Sequence, residues 1–478
     1  MTLRRTKIVA TLGPASTDPA VLKRMILAGL DVVRVNFSHG VASDHEARIN
    51  SIREISKTCG KEIGILADLQ GPKIRVSKFK EGKVELKENN IFILDASLDA
   101  MSGDDKQVGI DYKQLPQDVK SKDILLLDDG RLVFEVETVE GPKIICRVQV
   151  GGILSNNKGI NRQGGGLSAK ALTDKDKADL ITAVKLGADY IAISFPRSAN
   201  DIHEARELIK AAKGNAGIIA KIERTEAVEA IDEIIKASDA VMVARGDLGV
   251  EIGDAELPAV QKHIINRCRA LDKAVITATQ MMESMIENSI PTRAEVFDVA
   301  NAVLDGSDAV MLSAETATGK HPDLVIASMA RICLSAEKQK HMNVSRHRVE
   351  CEFKRVDEAI AMATMYAANH FDIKAIIALT ESGSTPLWMS RIRSGIPIYA
   401  LTRNLQTERR MTLYRGVYPL KFVFEEQERG KIINQRAIDE LVKRQIVKSG
   451  DYVIITRGEH TGQPGGTNMM KIARVGDV

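Results

Sequence analysis

The sequence predicts an α/β protein built on an eight-stranded (β/α)₈ barrel, and three observations support this prediction. Short apolar runs alternate with longer helical patterns, and this alternation repeats eight times. About a hundred residues with a different pattern, short alternating runs separated by turns, interrupt it once, after the third run. Beyond residue 345 the pattern changes again, which indicates a further small α/β domain.

The eight predicted barrel strands are β-prone apolar runs, and helical patterns separate most of them. Thr292 and Glu295 form a capping box at the start of one helix, and Gly306 follows its end. The segment 173–176 begins another helix in a similar way. The predicted strands are Lys7–Leu12, Asp31–Phe37, Ile63–Asp68, Asp189–Phe195, Gly217–Glu223, Asp239–Ala244, Ala274–Thr279 and Asp308–Leu312.

The interruption, residues 71–170, is predicted to be an inserted β-barrel domain. Gly-Lys and Asp-Gly turns separate short alternating runs such as 125–134. Without the insertion, residues 1–70 and 171–345 supply about 245 residues, close to the roughly 250 of a typical barrel. The insertion leaves from the catalytic face of the barrel, so we expect it to act as a lid.

The C-terminal segment, residues 346–478, predicts a separate α/β domain. A helix over 357–369 precedes a strand over 375–379, and further strands are predicted at 396–401 and 452–456. A basic and polar linker around 341–352 joins this domain to the barrel. With 478 residues in all, two or three domains are expected.

The composition excludes several classes of protein. The 67 Lys and Arg residues nearly balance the 64 Asp and Glu residues, so the formal net charge is only +3. This balance does not suggest a nucleic-acid or membrane-surface protein. Five scattered cysteines without a CxxC pair predict free thiols in a reducing cytoplasm. No apolar run is long enough to span a membrane, and no histidine cluster suggests zinc.

The candidate chemistry lies where neighbouring barrel strands end. Lys221 and Glu223 are two residues apart, so both point the same way on a strand, and Asp247 follows the next strand. An ammonium and two carboxylates suit a divalent metal and a phosphate. Arg34, at the end of the second strand, could clamp phosphate oxygens. This set favours phosphoryl transfer, although Lys221 and Glu223 could also form a purely structural ion pair.

Eight sequence blocks resemble pyruvate kinases, in the same order and from residue 6 to the C-terminus. The resemblance implies a TIM-barrel enzyme that converts phosphoenolpyruvate and ADP to pyruvate and ATP, the final step of glycolysis. The blocks are 6–9 with 13–14, 34–40, 71–75, 220–223, 244–249, 278–281, 291–295 and 308–313.

By resemblance, Arg34 binds the substrate phosphate and Lys221 stabilises the transition state. Glu223 and Asp247 hold Mg²⁺, for which Mn²⁺ is a substitute. The backbone at Gly246 and the hydroxyl of Thr279 hold the substrate carboxylate. Two further residues stand where family members place a proton relay to the enolate carbon, namely Ser313 and Glu315.

The resemblance also assigns the nucleotide and the assembly. Arg75 and Lys158 reach the nucleotide phosphates, and Lys158 arrives only when the lid closes. The family is usually a cytoplasmic homotetramer. A segment of the barrel assists nucleotide binding, namely Asn36, Phe37, Ser38 and His39.

One departure from the family concerns potassium. By resemblance, a monovalent-cation site would comprise Asn36, Ser38, Asp68 and the carbonyl of Leu69, but Lys73 replaces the glutamate found nearby in members that require K⁺. An ammonium there would repel a potassium ion. We therefore expect a bacterial type of the enzyme whose activity does not require K⁺.

A second phosphate site is predicted in the C-terminal domain, at a strand-to-helix turn. Backbone amides and hydroxyls at such a helix start cradle anions, although an ordinary capped turn has the same pattern. By resemblance this turn binds a sugar-phosphate effector. Glu381 stands where bisphosphate-activated members carry a basic residue, which favours a monophosphate effector or none. The effector residues are Thr380, Ser382, Gly383, Ser384 and Thr385.

Two alternatives stay open at this stage. A Mg²⁺-dependent barrel aldolase or lyase acting on pyruvate or phosphoenolpyruvate would use similar acids and an arginine. It would need neither a lid nor the nucleotide residues Arg75 and Lys158. A non-catalytic effector-binding protein is a more remote alternative, because Lys221, Glu223 and Asp247 are all present.

Overall fold

The computed structural model describes residues 3–343, 352–424, 430–459 and 465–477, and its largest part is a closed barrel of eight parallel strands. Each of the eight predicted strands is present. Neighbours in the barrel follow one another along the chain, and the first strand pairs with the eighth. The strands are Lys7–Thr11, Val32–Asn36, Gly64–Asp68, Tyr190–Ile193, Gly217–Ile222, Ala240–Ala244, Ala274–Ala278 and Ala309–Leu312.

The barrel interior is filled mainly by small and branched side chains. Alanines 192, 240, 274 and 309 share this core with larger residues such as Ile219 and Met242. Leu413, from the C-terminal part of the chain, belongs to the same core. The Tyr190 hydroxyl, on the first residue of its strand, donates to the Arg410 carbonyl over 2.8 Å. The C-terminal segment therefore closes the amino end of the barrel and leaves the carboxyl end for the site.

Helices surround the barrel, and the predicted capping boxes are confirmed at Thr292 and Thr173. Gly306 ends its helix with φ +107°, a conformation that favours glycine. Short 3₁₀ turns occupy Pro14–Ser16, Glu283–Ile286 and Lys340–Met342. The α-helices are Pro19–Ala28, Ala42–Thr58, Asp174–Lys185, Ala199–Ala211, Thr225–Glu229, Ile231–Ala237, Arg245–Ile252, Leu257–Ala270, Arg293–Asp305, Ala314–Ala317 and Pro322–Ala336.

The inserted segment folds as β structure around its own core, which includes Phe92 and Phe134. It has one six-stranded and one two-stranded sheet. Arg75 forms an isolated bridge with Gly159, and Val76 forms one with Ile110. Gly159 and Ile110 adjoin the two edge strands of the larger sheet, so residues 75 and 76 link these edges. The strands are Lys83–Leu86, Ile91–Asp95, Gln107–Gly109, Ile124–Leu127, Leu132–Glu140, Lys143–Val150, Gly152–Ser155 and Ile160–Arg162, with a short helix at Leu115–Asp118.

The C-terminal part is a five-stranded sheet with helices packed on it. Four strands are parallel, and the last, Thr467–Arg474, is antiparallel at one edge. The other strands are Ile373–Leu379, Ile398–Thr402, Val417–Lys421 and Tyr452–Gly458, and the helices are Val356–His370, Ser384–Ser390, Leu405–Met411 and Gly430–Lys443. The proposed boundary at 345/346 and most of the proposed linker fall in 344–351, outside the described residues. The division into 1–70 with 171–345, 71–170 and 346–478 therefore stays a proposal.

Two further features bear on the setting of the protein. Across the described ranges, no helix has both the length and the apolar character that crossing a membrane requires. The four described cysteines, 59, 146, 268 and 333, are free thiols.

Candidate active site

Lys221 lies at the centre of a charged cluster at the carboxyl end of the barrel. Its ammonium donates to the Ser194 hydroxyl over 2.7 Å and lies 2.9 Å from a Glu223 oxygen and 3.3 Å from Asp68 Oδ1. Burial disfavours the charged ammonium, but the Asp68 and Glu223 carboxylates outweigh this and raise the pKa of Lys221. The side chain is therefore a fixed cation at neutral pH.

Asp68 joins this lysine to Arg34. The Arg34 Nε donates to Asp68 Oδ2 over 2.6 Å, and its Nη1 donates to the Thr11 hydroxyl over 3.0 Å. The Asp68 side chain is 1% exposed, and burial alone would raise its pKa, but Lys221 and Arg34 together lower it. One buried carboxylate thus holds two cations side by side, as phosphate recognition requires.

Glu223 and Asp247 form the candidate metal site. Glu223 accepts a hydrogen bond from the Phe195 amide over 2.8 Å, and burial, with Asp247 adding to it, raises the pKa of Glu223. Two carboxylates that repel each other are a site that a divalent cation would stabilise. In the part of the chain that the structure describes, no group of three or more His, Cys, Asp or Glu could hold a metal. The pair fits Mg²⁺, which uses one or two carboxylates and keeps other positions for substrate and water.

Lys73 contacts the candidate metal ligand. Its ammonium lies 3.0 Å from Asp247 Oδ1. Of the predicted monovalent-cation ligands, the Leu69 carbonyl accepts from the Ser194 hydroxyl, and Asn36 pairs with Asp68 in neighbouring strands. Lys73 thus places its positive charge beside Asp247, one of the two candidate metal ligands.

Thr279 sits in a strained turn that Arg245 holds. Thr279 and Gln280 have φ of +67° and +53°, which side-chain-bearing residues rarely adopt. The Arg245 guanidinium donates to the Thr279 carbonyl over 2.6 Å and forms two 2.7 Å bonds with Asp298. The Gly246 amide donates to the Thr279 hydroxyl over 2.8 Å, which ties the two predicted carboxylate-binding residues together. Sequence reasoning missed Arg245.

Ser313 and Glu315 line the same cavity as Lys73, Asp247 and Thr279. The Glu315 side chain is buried, and its oxygens accept from the Ser313 amide over 2.6 Å and the Met282 amide over 3.2 Å. In this geometry Glu315 fixes the backbone that presents Ser313.

The predicted nucleotide residues are only partly brought together. Phe37 is buried, with its ring stacked 4.0 Å from that of His45, so its side chain belongs to the core. Asn36 accepts from the Ser38 amide, and His39 is exposed beside them.

Arg75 and Lys158 lie in the inserted segment, and their contacts are made there. The Lys158 ammonium is 2.7 Å from Asp128, and Arg75 donates to the Asn157 carbonyl over 2.9 Å. Reaching a nucleotide would require Lys158 to leave Asp128.

The predicted effector turn lines a cavity in the C-terminal sheet together with Arg457 and Thr467. Gly383 has φ +83°, and its amide donates to the Thr380 hydroxyl over 2.9 Å. The remaining hydroxyls are paired as Ser382 with Ser384 and Thr385 with Thr467. Glu381 lies 3.1 Å from Arg403, whose positive charge it offsets.

Comparison with known proteins agrees with this architecture. Residues 3–326 match the family model described as pyruvate kinase, barrel domain, and residues 358–473 match the pyruvate kinase alpha/beta domain. The chain is 56% identical over 477 residues to pyruvate kinase II of Salmonella typhimurium, covering 99% of both chains. It is 56% identical over 460 residues to a pyruvate kinase of Haemophilus influenzae, covering 95% of this chain and 96% of the other. The chain belongs to the pyruvate kinase family.

Proposed function

We propose that this chain transfers the phosphoryl group of phosphoenolpyruvate to ADP and so forms pyruvate and ATP, with Mg²⁺ required. The observation that carries the proposal is the pair of cations, Lys221 and Arg34, held on one buried carboxylate, Asp68, at the carboxyl end of the barrel. Relatives at 55–56% identity that bear the name pyruvate kinase support it.

Each side chain has a role in this reaction. Arg34 binds and orients the phosphate of the substrate, and Lys221 neutralises the negative charge on the travelling group and on the enolate oxygen. Glu223 and Asp247 would hold Mg²⁺, which supplies further neutralisation of phosphate oxygens. Thr279, held by Arg245, positions the substrate carboxylate.

Protonation of the enolate carbon completes the reaction. We assign the relay to Ser313 and Glu315, in agreement with their place in the cleft. The Glu315 oxygens accept hydrogen bonds from the Ser313 and Met282 amides, so in this proposal Glu315 acts by holding Ser313, which lines the cavity.

The central test is the rate of ATP formation by Lys221→Met, with Mg²⁺ varied. Loss of this cation should lower kcat about 10²–10³-fold, the cost of one electrostatic contact in a transition state. Lys236→Met, an exposed lysine on a nearby helix, is the matched control and should keep the wild-type rate. A near-normal rate for Lys221→Met would overturn the proposal, and pyruvate release without ADP would favour a lyase.

Independence from K⁺ is part of the proposal. The Lys73 ammonium already lies beside Asp247, so a monovalent cation adds little positive charge to this cleft. We expect KCl, added to K⁺-free enzyme at constant ionic strength, to leave the rate within about twofold of its starting value. A large rate increase would contradict this.

We further propose activation by a monophosphate effector at the turn 380–385. The hydroxyls of that turn suit one phosphate, and the Glu381 carboxylate offsets the nearby Arg403 and so disfavours a second phosphate. Saturation curves for phosphoenolpyruvate should shift with a sugar monophosphate or AMP. Strong activation by fructose 1,6-bisphosphate would contradict this assignment.

The proposal includes a homotetramer in the cytoplasm. Free thiols agree with a reducing compartment, and Ile290 and Phe297 are 71% and 70% exposed, as residues of an interface between copies would be. Light scattering of the purified protein should give four times the chain mass. A monomer at micromolar concentration would contradict the assembly.

A further inference from the structure

A cluster of five arginines lies where the amino end of the barrel meets the C-terminal sheet. Together they line one cavity, which we call the arginine seam. They come from four separated places in the chain, and their side chains converge on this cavity. The residues are Arg5, Arg269, Arg391, Arg393 and Arg415.

Two members of the seam are balanced by carboxylates. Arg391, which is 2% exposed, donates to both oxygens of Asp308, one bond being 2.8 Å. Arg5 lies 3.6 Å from Glu337. The side chains of Arg269 and Arg415 have no part in these two pairs.

Arg269 and Arg415 have carbonyls as their partners instead. Arg415 donates from Nη1 to the Val303 and Ser307 carbonyls at 3.2 Å and 3.0 Å, and Arg269 donates to the Arg391 carbonyl at 3.4 Å. Among the residues that the structure describes, neither forms an ion pair. The Arg415 Nη2 atom is buried and has no hydrogen-bond acceptor there. A buried guanidinium nitrogen without an acceptor is costly, so an acceptor at this point would stabilise it.

The neighbouring charges make the seam strongly electropositive. Burial, and then the nearby Arg393, Arg391 and Arg415, lower the pKa of Arg269 to about 10. The Arg269 side chain packs closely against the backbone at Gly306, where an added Cβ would lie 3.0 Å from Arg269 Cδ. The guanidiniums therefore stay near one another despite their repulsion.

We propose that the arginine seam binds one phosphate group, either inorganic phosphate or the phosphate of a monoester. Guanidinium forks match the oxygens of a tetrahedral oxyanion and bind them in pairs. Arg415 Nη2 supplies a donor that is already desolvated. Bound there, the anion joins side chains of the barrel to side chains of the C-terminal sheet, so it strengthens the contact between them.

The test is direct binding of radiolabelled inorganic phosphate to wild type, Arg415→Gln and Arg269→Gln. We expect wild type to bind one more phosphate per chain than either variant, or to bind it at least about tenfold more tightly, since a charged hydrogen bond is lost. Arg474→Gln, which removes an exposed arginine on the outer edge strand, is the control and should match wild type. Phosphate bound in the catalytic cleft or the effector turn is common to all four proteins.

Two further arms complete the design. In the first arm, a sugar monophosphate and unlabelled phosphate each compete with the radiolabelled phosphate. The competitor that displaces the label at the lower concentration is the tighter ligand, which distinguishes a phosphate ester from the free ion. Selenate soaked into wild-type crystals should give an anomalous peak in the seam, a readout that holds even if a variant does not fold. The proposal would be overturned if folded Arg415→Gln and Arg269→Gln bound phosphate as wild type does. It would also be overturned if the seam showed no selenate peak, and both results hold whatever the catalytic activity.

Discussion

At the scale of single residues, the candidate site depends on Asp68. Its carboxylate touches Arg34 and Lys221, and those two cations lower its pKa although burial acts the other way. The aspartate therefore stays ionised, and it holds both cations in place without taking a proton from either of them. With both side chains already oriented, a phosphate bound between them, as we propose, would need little reorganisation, which is the condition for effective electrostatic catalysis.

Arg245 provides the first residue-scale prediction. It holds the Thr279 turn by its carbonyls and is anchored by two bonds to Asp298. Lysine has one ammonium and cannot make these bonds together. Arg245→Lys should therefore lower kcat/KM for phosphoenolpyruvate about 10²-fold, the cost of a small misplacement of a positioning group, with a much smaller change in KM for ADP.

Arg267→Lys is the matched control for Arg245→Lys. Arg267 also makes two bonds to one carboxylate, Asp232, but that pair is at the surface. Its substitution should leave both kinetic parameters unchanged. If the two variants lose equal activity in steady-state assays, Arg245 has no special role in positioning Thr279.

The sequence predicted residues whose placement follows from their spacing on one strand. It missed residues whose contacts are made with partners far away in the sequence. Lys221 and Glu223 were expected on one face because of their spacing, and their contact confirms it. Arg245 acts on Thr279 and Asp298, which are 34 and 53 residues away, and no local pattern links them. For the same reason the contact of Lys73 with Asp247 could not be predicted.

At the scale of elements, the segment by which the insertion rejoins the barrel is hydrogen-bonded to the residues that follow Glu223. Residues 164–166 all have positive φ, between +76° and +89°, and glycine occupies each position. The Gly166 amide donates to the Glu226 carboxylate, and Arg224 donates to the Leu167 carbonyl over 3.1 Å. The residues that follow the strand Gly217–Ile222 thus hold the segment through which the insertion returns to the barrel.

Glu226→Gln tests this coupling. The variant keeps the shape of the side chain but weakens the charged hydrogen bond from the Gly166 amide, so the insertion should be oriented less firmly. Because Arg75 and Lys158 lie in the insertion, KM for ADP should rise about three- to tenfold, as expected for one hydrogen bond of about 1 kcal/mol. KM for phosphoenolpyruvate should change little.

Glu229→Gln, an exposed position on the same short helix, is the control and should behave as wild type. Steady-state kinetics with each substrate varied in turn separates the two constants. A rise in both by the same factor would mean that Glu226 supports the barrel in general and does not orient the insertion.

Element prediction succeeded where the pattern was strong. All eight barrel strands were found because buried runs such as Ala240–Ala244 are apolar throughout. The strand Val417–Lys421 was missed, since it contains Pro419 and is only partly buried at the edge of its sheet. The strand Thr467–Arg474 was also missed, because its side chains do not alternate and its pairing partner fixes it.

At the scale of the whole molecule, the barrel and the C-terminal sheet are joined through a buried ion pair. Arg391 and Asp308 are 2% and 0% exposed, and Asp308 also accepts from the Val275 and Arg415 amides. Such a pair is stabilised by its full set of hydrogen bonds. Removing one partner leaves a buried charge without compensation, which is the expensive case.

Arg391→Met should therefore cost about 3–5 kcal/mol of unfolding free energy for the C-terminal part, because the buried Asp308 carboxylate would lose its guanidinium partner. Trp388, the one tryptophan of the chain, lies three residues from Arg391 and reports on this region by its fluorescence during urea unfolding. The measurement should be made without phosphate, so that an anion in the arginine seam does not add stability.

Arg444→Met is the control for Arg391→Met, since Arg444 pairs with Glu440 at the surface of a helix and such a pair contributes about 0.5 kcal/mol or less. The fluorescence midpoint of Arg391→Met should fall well below that of Arg444→Met and of wild type. Equal midpoints for the two variants would mean that the buried pair does not hold the C-terminal sheet to the barrel. The contact would then depend on the apolar core around Leu413 at the amino end of the barrel.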